Sequence, residues 1–167
     1  MTEIIEFAVR ASLIGIGATA LLDLWSAFLA RVFAVPAPNY AMIGRWVGYF
    51  PRGVFAHDNI AKAAPVTGEA ALGWGAHYIV GVLYAAALIA ICGVDWARAP
   101  TLAPALIFGI LTIAAPFLIM QPGMGAGIAA SRMPNPNSAR LKSLMAHTVF
   151  GLGLYITAVL TARLFVA

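Results

Sequence analysis

Asp23 and Gln121 are polar residues that lie inside, or at the end of, long apolar stretches of the sequence. Asp23 is the only acidic residue well inside such a stretch, and a carboxylate at mid-membrane costs about 2.5 to 3.5 kcal/mol on insertion scales. It could bind a cation, carry a proton or contact a solute. The alternative is a structural hydrogen bond to a neighbouring helix. Gln121, a neutral amide, suits either role.

Two histidines, His77 and His147, each stand near the start of an apolar stretch and are each followed by a glycine one helical turn later, Gly81 and Gly151. Histidines on separate helices can ligate a haem iron axially or share a metal ion. The glycines would leave room for a flat macrocycle. The alternative is close helix packing, for which membrane proteins also use small residues.

A short motif, Pro-x-Pro-Asn-x-Ala, occurs at residues 36–41 and again at 134–139. When the two copies are aligned without a gap, Asp23 lies opposite Gln121, and an Ala-His pair follows each copy. The motif favours turns and extended backbone, and we expect each copy to close one end of a helical hairpin. The candidate ligand-binding residues are Asp23, Asn39, His77, Gln121, Arg132, Asn137 and His147.

The stretch from Gln121 to Gly127 contains three alternating glycines and Pro122, with Pro116 one to two turns earlier. Such a sequence can expose backbone amides and carbonyls at membrane depth, as the broken helices of transporters do. The alternative is that the glycines let two helices touch. Arg132, with Arg140 and Lys142 nearby, could hold a phosphate or an anionic lipid head group, or could simply set the topology.

The composition excludes an ordinary soluble domain. The chain has 167 residues, 62% hydrophobic and 10% charged, with a mean hydropathy of +0.91, whereas soluble domains average about 25% charged residues. We therefore predict one polytopic membrane domain, residues 1–167, with the lipid bilayer as its main partner. The basic residues form no cluster that favours nucleic acid. The single Cys92 excludes an intrachain disulfide and a cysteine-cluster metal site.

Four apolar stretches are long enough to cross a bilayer, which takes about 20 residues. They span about 5–33, 72–92, 101–120 and 144–165. We predict an all-α protein whose third helix is broken near Pro116, Gln121 and Pro122. Arg10 is expected to extend to the interface. Because Glu3 and Glu6 replace a basic leader, the first helix is expected to be retained.

The order of helices and motifs predicts a tandem repeat of two helical hairpins. Repeat one spans about 5–92, with an aromatic-rich insertion at about 42–70, and repeat two spans about 101–165. Two hairpins of the same topology are related by an axis along the membrane normal. His57, beside Asp58 in the insertion, is interpreted as part of an exposed pair rather than a ligand.

The distribution of Lys and Arg predicts the topology. Loops one and three carry seven of the ten basic residues. By the positive-inside rule these loops are cytoplasmic and both termini are periplasmic, in a bacterial inner membrane. The seven are Arg31, Arg45, Arg52, Lys62, Arg132, Arg140 and Lys142, against Arg10, Arg98 and Arg163 on the other side.

The chain resembles a bacterial inner-membrane family known as domain of unknown function 2938. The resemblance is carried by Met120–Gly125, Ala130–Asn137 and the His147-x-x-Phe150-Gly151 segment, and by Asp23-Leu24-Trp25 and Phe50-Pro51-Arg52-Gly53. It covers nearly the whole chain. It implies a small polytopic membrane protein and gives no activity to transfer.

Two functions remain open from the sequence. The first is a protein that binds or transports a small solute, ion or proton in a cytoplasm-facing site. The second is a haem- or metal-bearing, or accessory, subunit of a membrane redox complex, with His77 and His147 as ligands. A structural subunit that packs on a complex partner, or on a second copy of itself, is a third. An enzyme is disfavoured, because no nucleophile stands with a supporting base.

Overall fold

The computed structural model describes residues 2–165, which are all helix and loop. The α-helices are α1 (Glu3–Phe33), α2 (Tyr40–Gly48), α3 (Glu69–Cys92), α4 (Val94–Arg98), α5 (Leu102–Leu111), α6 (Gln121–Gly123) and α7 (Pro136–Leu164). Short 3-10 turns span Phe50–Arg52, Ile60–Lys62 and Ile128–Ala130, and a π-helical turn spans Pro116–Met120. This confirms the all-α prediction.

Four helices of the described chain are long and apolar enough to cross a membrane. They are Glu3–Phe33, Glu69–Cys92, Leu102–Gly123 and Pro136–Leu164. The fourth begins earlier than its apolar stretch because Pro136 suits a first helical position and the Asn135 side chain accepts a hydrogen bond from Ser138 N. Large apolar side chains such as Leu83, Leu111 and Leu160 face outward and are more than half exposed, as lipid-facing residues are.

The chain forms two compact units. Among the described residues, the first unit comprises 2–37, 78–111 and 146–165, and the second comprises 38–77 and 112–145. The first contains all of α1, most of α3 and α7, and the helices α4 and α5. The second contains α2, the loop between α2 and α3, the π-helical turn, α6 and the loop that leads to α7.

Small residues position the helices of the first unit. A Cβ on Gly15 of α1 would collide with the backbone of Gly81 and Val82 in α3, and one on Gly109 of α5 would collide with the backbone of Gly151 in α7. Helices in lipid associate by such close packing, since burial from water drives little of it. The fully buried side chains of this unit include Ile14, Ala18, Ala85, Leu88, Ile89, Ala105, Leu154 and Ala158.

Arg10 of α1 is buried in a network of ionic hydrogen bonds with α4. It is 4% exposed, donates to Glu6 Oε1 at 2.8 Å and to the carbonyl of Ala97 at 2.8 Å. Arg98 of α4 also binds Glu6, at 3.0 and 2.7 Å, and these hydrogen bonds raise the pKa of Arg98. The network forms because α4 places the Arg98 guanidinium and the Ala97 carbonyl oxygen next to the first turns of α1.

The third candidate span is irregular. The α-helical part α5 ends at Leu111, and Pro116–Met120 forms the π-helical turn, followed directly by α6. Pro116 and Pro122 lack the amide proton that would continue an α-helical ladder. Beyond α6 the backbone takes left-handed values at Gly125 and Gly127.

Candidate functional site

Asp23 of α1 is paired with a tyrosine of α3 in the first unit. The hydroxyl of Tyr78 donates to Asp23 Oδ2 at 2.9 Å, and both residues are half-buried. Two residues further along α1, the indole Nε1 of Trp25 is buried and has no hydrogen-bond partner within residues 2–165. A carboxylate held by a phenol in an apolar span is a group that can take up a proton or a cation.

His147 of α7 also belongs to the first unit. Its side chain is half-buried and is hydrogen-bonded to the backbone of Gly109. A Cβ on that glycine would collide with Gly151, one turn beyond the histidine. The histidine thus fastens α7 to α5 at the point where the two helices touch, and the glycine spacing serves that crossing.

His77 of α3 lies in the second unit, in an aromatic cluster with α2. Its Nε2 and the hydroxyl of Tyr40 are 3.0 Å apart, and the two ring centroids are 4.3 Å apart. The Tyr40 ring also contacts Trp74, at 4.3 Å between centroids. Iron ligation through His77 Nε2 would require this hydrogen bond to break, so the geometry favours a packed histidine over a haem ligand.

A buried ion pair holds α2 against the start of α3. Arg45 donates from Nε and Nη2 to the two oxygens of Glu69, each at 2.8 Å. Glu69 also accepts from Val66 N at 3.0 Å, and Arg45 Nη1 donates to the carbonyl of Ala63 at 3.0 Å. The hydrogen-bonded carboxylate raises the pKa of Arg45. Sequence reasoning treated Arg45 as a topology residue and missed this pair.

Gln121 begins α6 in the second unit, directly after the π-helical turn. Its Oε1 atom is buried and has no hydrogen-bond partner among the described residues. Two residues later, the carbonyl of Gly123 accepts a hydrogen bond from His57 N at 2.9 Å, and that of Met124 accepts one from Ile60 N at 3.1 Å. The glycine-rich stretch therefore pairs with the loop between α2 and α3.

Two glycines of this stretch allow close contact with α2 and with the loop that follows it. A Cβ on Gly123 would lie 2.7 to 2.9 Å from the indole of Trp46, and one on Gly125 would collide with the carbonyl of Asp58. Gly125 also has φ of 92°, which glycine adopts without strain. Close contact therefore explains two of the glycines: Gly123 lies against Trp46 of α2, and Gly125 lies against the loop backbone at Asp58.

The sequence predicts that His57 and Asp58 form an exposed pair, and the structure differs from this prediction at His57. Asp58 is exposed, whereas His57 is half-buried and its Nε2 is buried without a hydrogen-bond partner in the described chain. Its ring meets that of Tyr49 edge-on at 4.8 Å. The only signal in the sequence is its place in an aromatic-rich insertion, because the Gly123 contact joins segments far apart in the chain.

The two asparagines of the repeated motif have different local roles. Asn39 caps α2, its side chain accepting from Ala41 N at 3.1 Å. Asn137 lies inside the first turn of α7 and accepts from Arg140 Nη1 at 3.2 Å. Arg132 is exposed, and its backbone N donates to the carbonyl of Ala126 at 2.8 Å. Local folding thus accounts for the two asparagines without a ligand.

The candidate residues are divided between the two units. Asp23 and His147 belong to the first. No group of three or more His, Cys, Asp or Glu side chains within residues 2–165 is placed to hold a metal ion. The second unit contains the other five, which are Asn39, His77, Gln121, Arg132 and Asn137.

One family model, described as "Protein of unknown function (DUF2938)", matches residues 12–161 of the chain. No curated protein and no solved structure matches it.

Proposed function

The chain belongs to the DUF2938 family, and we propose that it is an integral membrane protein that binds or transports a small solute, ion or proton. Its four apolar helices support residence in a bilayer. Its polar side chains in the candidate spans, such as Asp23 and Gln121, support a binding role.

The observation that carries this proposal is the amide of Gln121. Buried polar atoms are nearly always hydrogen-bonded, and an exception calls for a specific explanation such as a bound molecule. Gln121 Oε1 is such an exception. It also follows a π-helical turn, a distortion that occurs frequently at functional sites. A solute that donates a hydrogen bond to this oxygen would satisfy it.

The hydrogen-bonded pair of Asp23 and Tyr78 supports a second position at which a solute, cation or proton could bind. The Tyr78 hydroxyl donates to Asp23 Oδ2 at 2.9 Å, so the carboxyl group is already placed for polar contact within an apolar span. Proton uptake or cation contact at Asp23 is consistent with the cost of placing an acid in an apolar span.

We further propose that the four spans form one membrane domain built as a tandem repeat, broken near Pro116 and Pro122 in its third helix. The support is that each returning helix meets its predecessor through a glycine one turn after a histidine, at Gly81 and at Gly151. In this repeat the polar positions Asp23 and Gln121 correspond to each other.

The orientation proposed is loops one and three in the cytoplasm of a bacterial cell and both termini in the periplasm. It can be tested by labelling single cysteines with a membrane-impermeant maleimide in a Cys92→Ser background. Arg140→Cys is expected to react in inverted vesicles and Asp95→Cys in intact spheroplasts. The reverse pattern would contradict the orientation and leave the binding proposal untouched.

The binding proposal is tested in proteoliposomes. Uptake of a panel of small solutes, and proton flux by an internal pH dye, is measured for the wild type and for Asp23→Asn, Gln121→Leu and His147→Ala. A lost hydrogen bond is worth about 0.5 to 1.5 kcal/mol, so a roughly two- to tenfold change is expected for any solute that uses the mutated group.

The matched control is Asp95→Asn. Asp95 is an exposed residue of the same unit, and its carboxylate binds Arg98 at the surface. The substitution removes one carboxylate, as Asp23→Asn does, outside the apolar spans. If every variant shows the fluxes of the wild type for every solute and for protons, the proposed function is wrong and a structural subunit remains.

A further inference from the structure

Two buried side-chain atoms of the second unit lack a hydrogen-bond partner among the described residues. They are His57 Nε2 and Gln121 Oε1. Their segments are joined directly, because His57 N donates to the carbonyl of Gly123, two residues beyond Gln121, at 2.9 Å. Leaving one such atom unsatisfied costs about 1 to 3 kcal/mol, and here two lie on adjoining segments.

Two polar groups next to these segments are already engaged in hydrogen bonds. Trp46, whose indole lies against Gly123, donates from Nε1 to the carbonyl of Phe55 at 2.8 Å. The hydroxyl of Tyr49, whose ring packs on His57, donates to the carbonyl of Ala64 at 3.1 Å. A molecule in this place would therefore make its polar contacts with His57 and Gln121, and its apolar contacts with aromatic rings.

The charges of the second unit favour a neutral ligand over a charged one. An anion would face the lone pairs of Gln121 Oε1. A cation would face an excess of basic over acidic side chains, and the half-buried acid, Glu69, is already bound by Nε and Nη2 of Arg45. The acidic residues of this unit are Asp58 and Glu69, and the basic ones are Arg45, Arg52, Lys62, Arg132, Arg140 and Lys142.

A hydroxyl group fits the two atoms best. It can donate to Gln121 Oε1 and, through its own oxygen, accept from His57 Nε2 when that nitrogen carries a proton. When His57 Nε2 carries no proton, a diol or a water molecule can donate one hydrogen bond to His57 Nε2 and another to Gln121 Oε1. We infer that His57 and Gln121 are the two polar contacts of a site for a small neutral hydroxyl-bearing solute, an inference that rests on the proposed function and names its substrate class.

The test uses glycerol and water as probes with the full-length protein. Saturation-transfer NMR on protein in detergent micelles reports glycerol contact. Stopped-flow light scattering of proteoliposomes reports glycerol and water permeability separately. The wild type is expected to bind glycerol and to raise at least one permeability above that of protein-free vesicles. His57→Phe and Gln121→Leu should each weaken glycerol binding by about fivefold.

Two variants control for folding and position. Asp58→Asn changes the exposed neighbour of His57 and should behave as the wild type. His57→Gln offers an amide in place of the imidazole and should recover part of the binding lost in His57→Phe. Circular dichroism of each variant confirms that the helices are intact.

The inference is overturned if glycerol binds equally to wild type and His57→Phe, or if neither probe responds to the wild type. Its failure is distinguishable from that of the proposed function. When Asp23→Asn still alters proton or solute flux while His57→Phe alters none, only the His57 site is wrong. When no variant alters any flux, both fail.

Discussion

Replacing Gly44 by alanine tests whether α2 is seated on α3 as the structure shows. A Cβ at Gly44 would collide with the carbonyl of Glu69 and the amide of Gly73, both backbone atoms. Backbone cannot rotate out of the way as a side chain can. The two helices would have to separate, and the Arg45 pair with Glu69, at 2.8 Å, lies beside the collision.

The matched control is Gly75→Ala. Gly75 lies in the interior of α3, is exposed, and a Cβ there would meet nothing within 4 Å. Alanine is favoured over glycine in a helix interior by about 1 kcal/mol, so this change is expected to raise the free energy of unfolding by up to that amount. Because Gly44 is also helical, the same gain applies there.

The two substitutions are therefore predicted to change the free energy of unfolding in opposite directions. Overpacking costs about 1 to 3 kcal/mol, and the upper end applies at Gly44 because the atoms met are backbone. After the helix-propensity gain, a net loss of about 2 kcal/mol remains. Circular dichroism during unfolding in mixed micelles of increasing SDS content measures both values. If Gly44→Ala is as stable as Gly75→Ala, the seating of α2 on α3 is wrong.

Three further stability predictions use the same assay. Thr157→Val removes the hydroxyl that donates to Gly153 O of its own helix at 2.7 Å and also lies 3.1 Å from Ile14 O of α1, and should cost about 0.6 kcal/mol, the average for hydrogen bonds between membrane helices. Leu154→Ala empties a fully buried position and should cost about 2 to 5 kcal/mol. Ala129 has a left-handed φ of 48°, so Ala129→Gly should be neutral or stabilise by up to about 1 kcal/mol. Ala139→Gly, in α7, should instead cost about 1 kcal/mol, and an equal loss at Ala129 would contradict the argument.

The number of membrane helices could be predicted from the sequence because hydrocarbon thickness fixes how long an apolar stretch must be. The helix ends could not. Hydropathy shows where the chain leaves the apolar layer of the bilayer. A helix, however, continues for as long as its backbone groups have hydrogen-bond partners within the helix. Thus α7 begins at Pro136, well before its apolar part, since Asn135 and Pro136 supply the start signals.

The polar contacts were predictable only where both partners are near in sequence. Asn39 caps the helix that it directly precedes. The environment of Arg10 depends on Ala97 and Arg98, and that of His57 depends on Gly123. Nothing in the local sequence of either residue encodes those partners. A position that reads as interfacial or exposed can therefore be buried by a segment from elsewhere in the chain.

The glycine-rich stretch shows why packing and binding explanations need not compete. Gly123 and Gly125 are required because Trp46 and Asp58 occupy the space that their side chains would fill. That contact accounts for the glycines without any ligand. The same contact, however, lays His57 beside the segment that carries Gln121. In the proposed site the glycines therefore position the two polar groups, and any ligand binds to side chains rather than to exposed backbone.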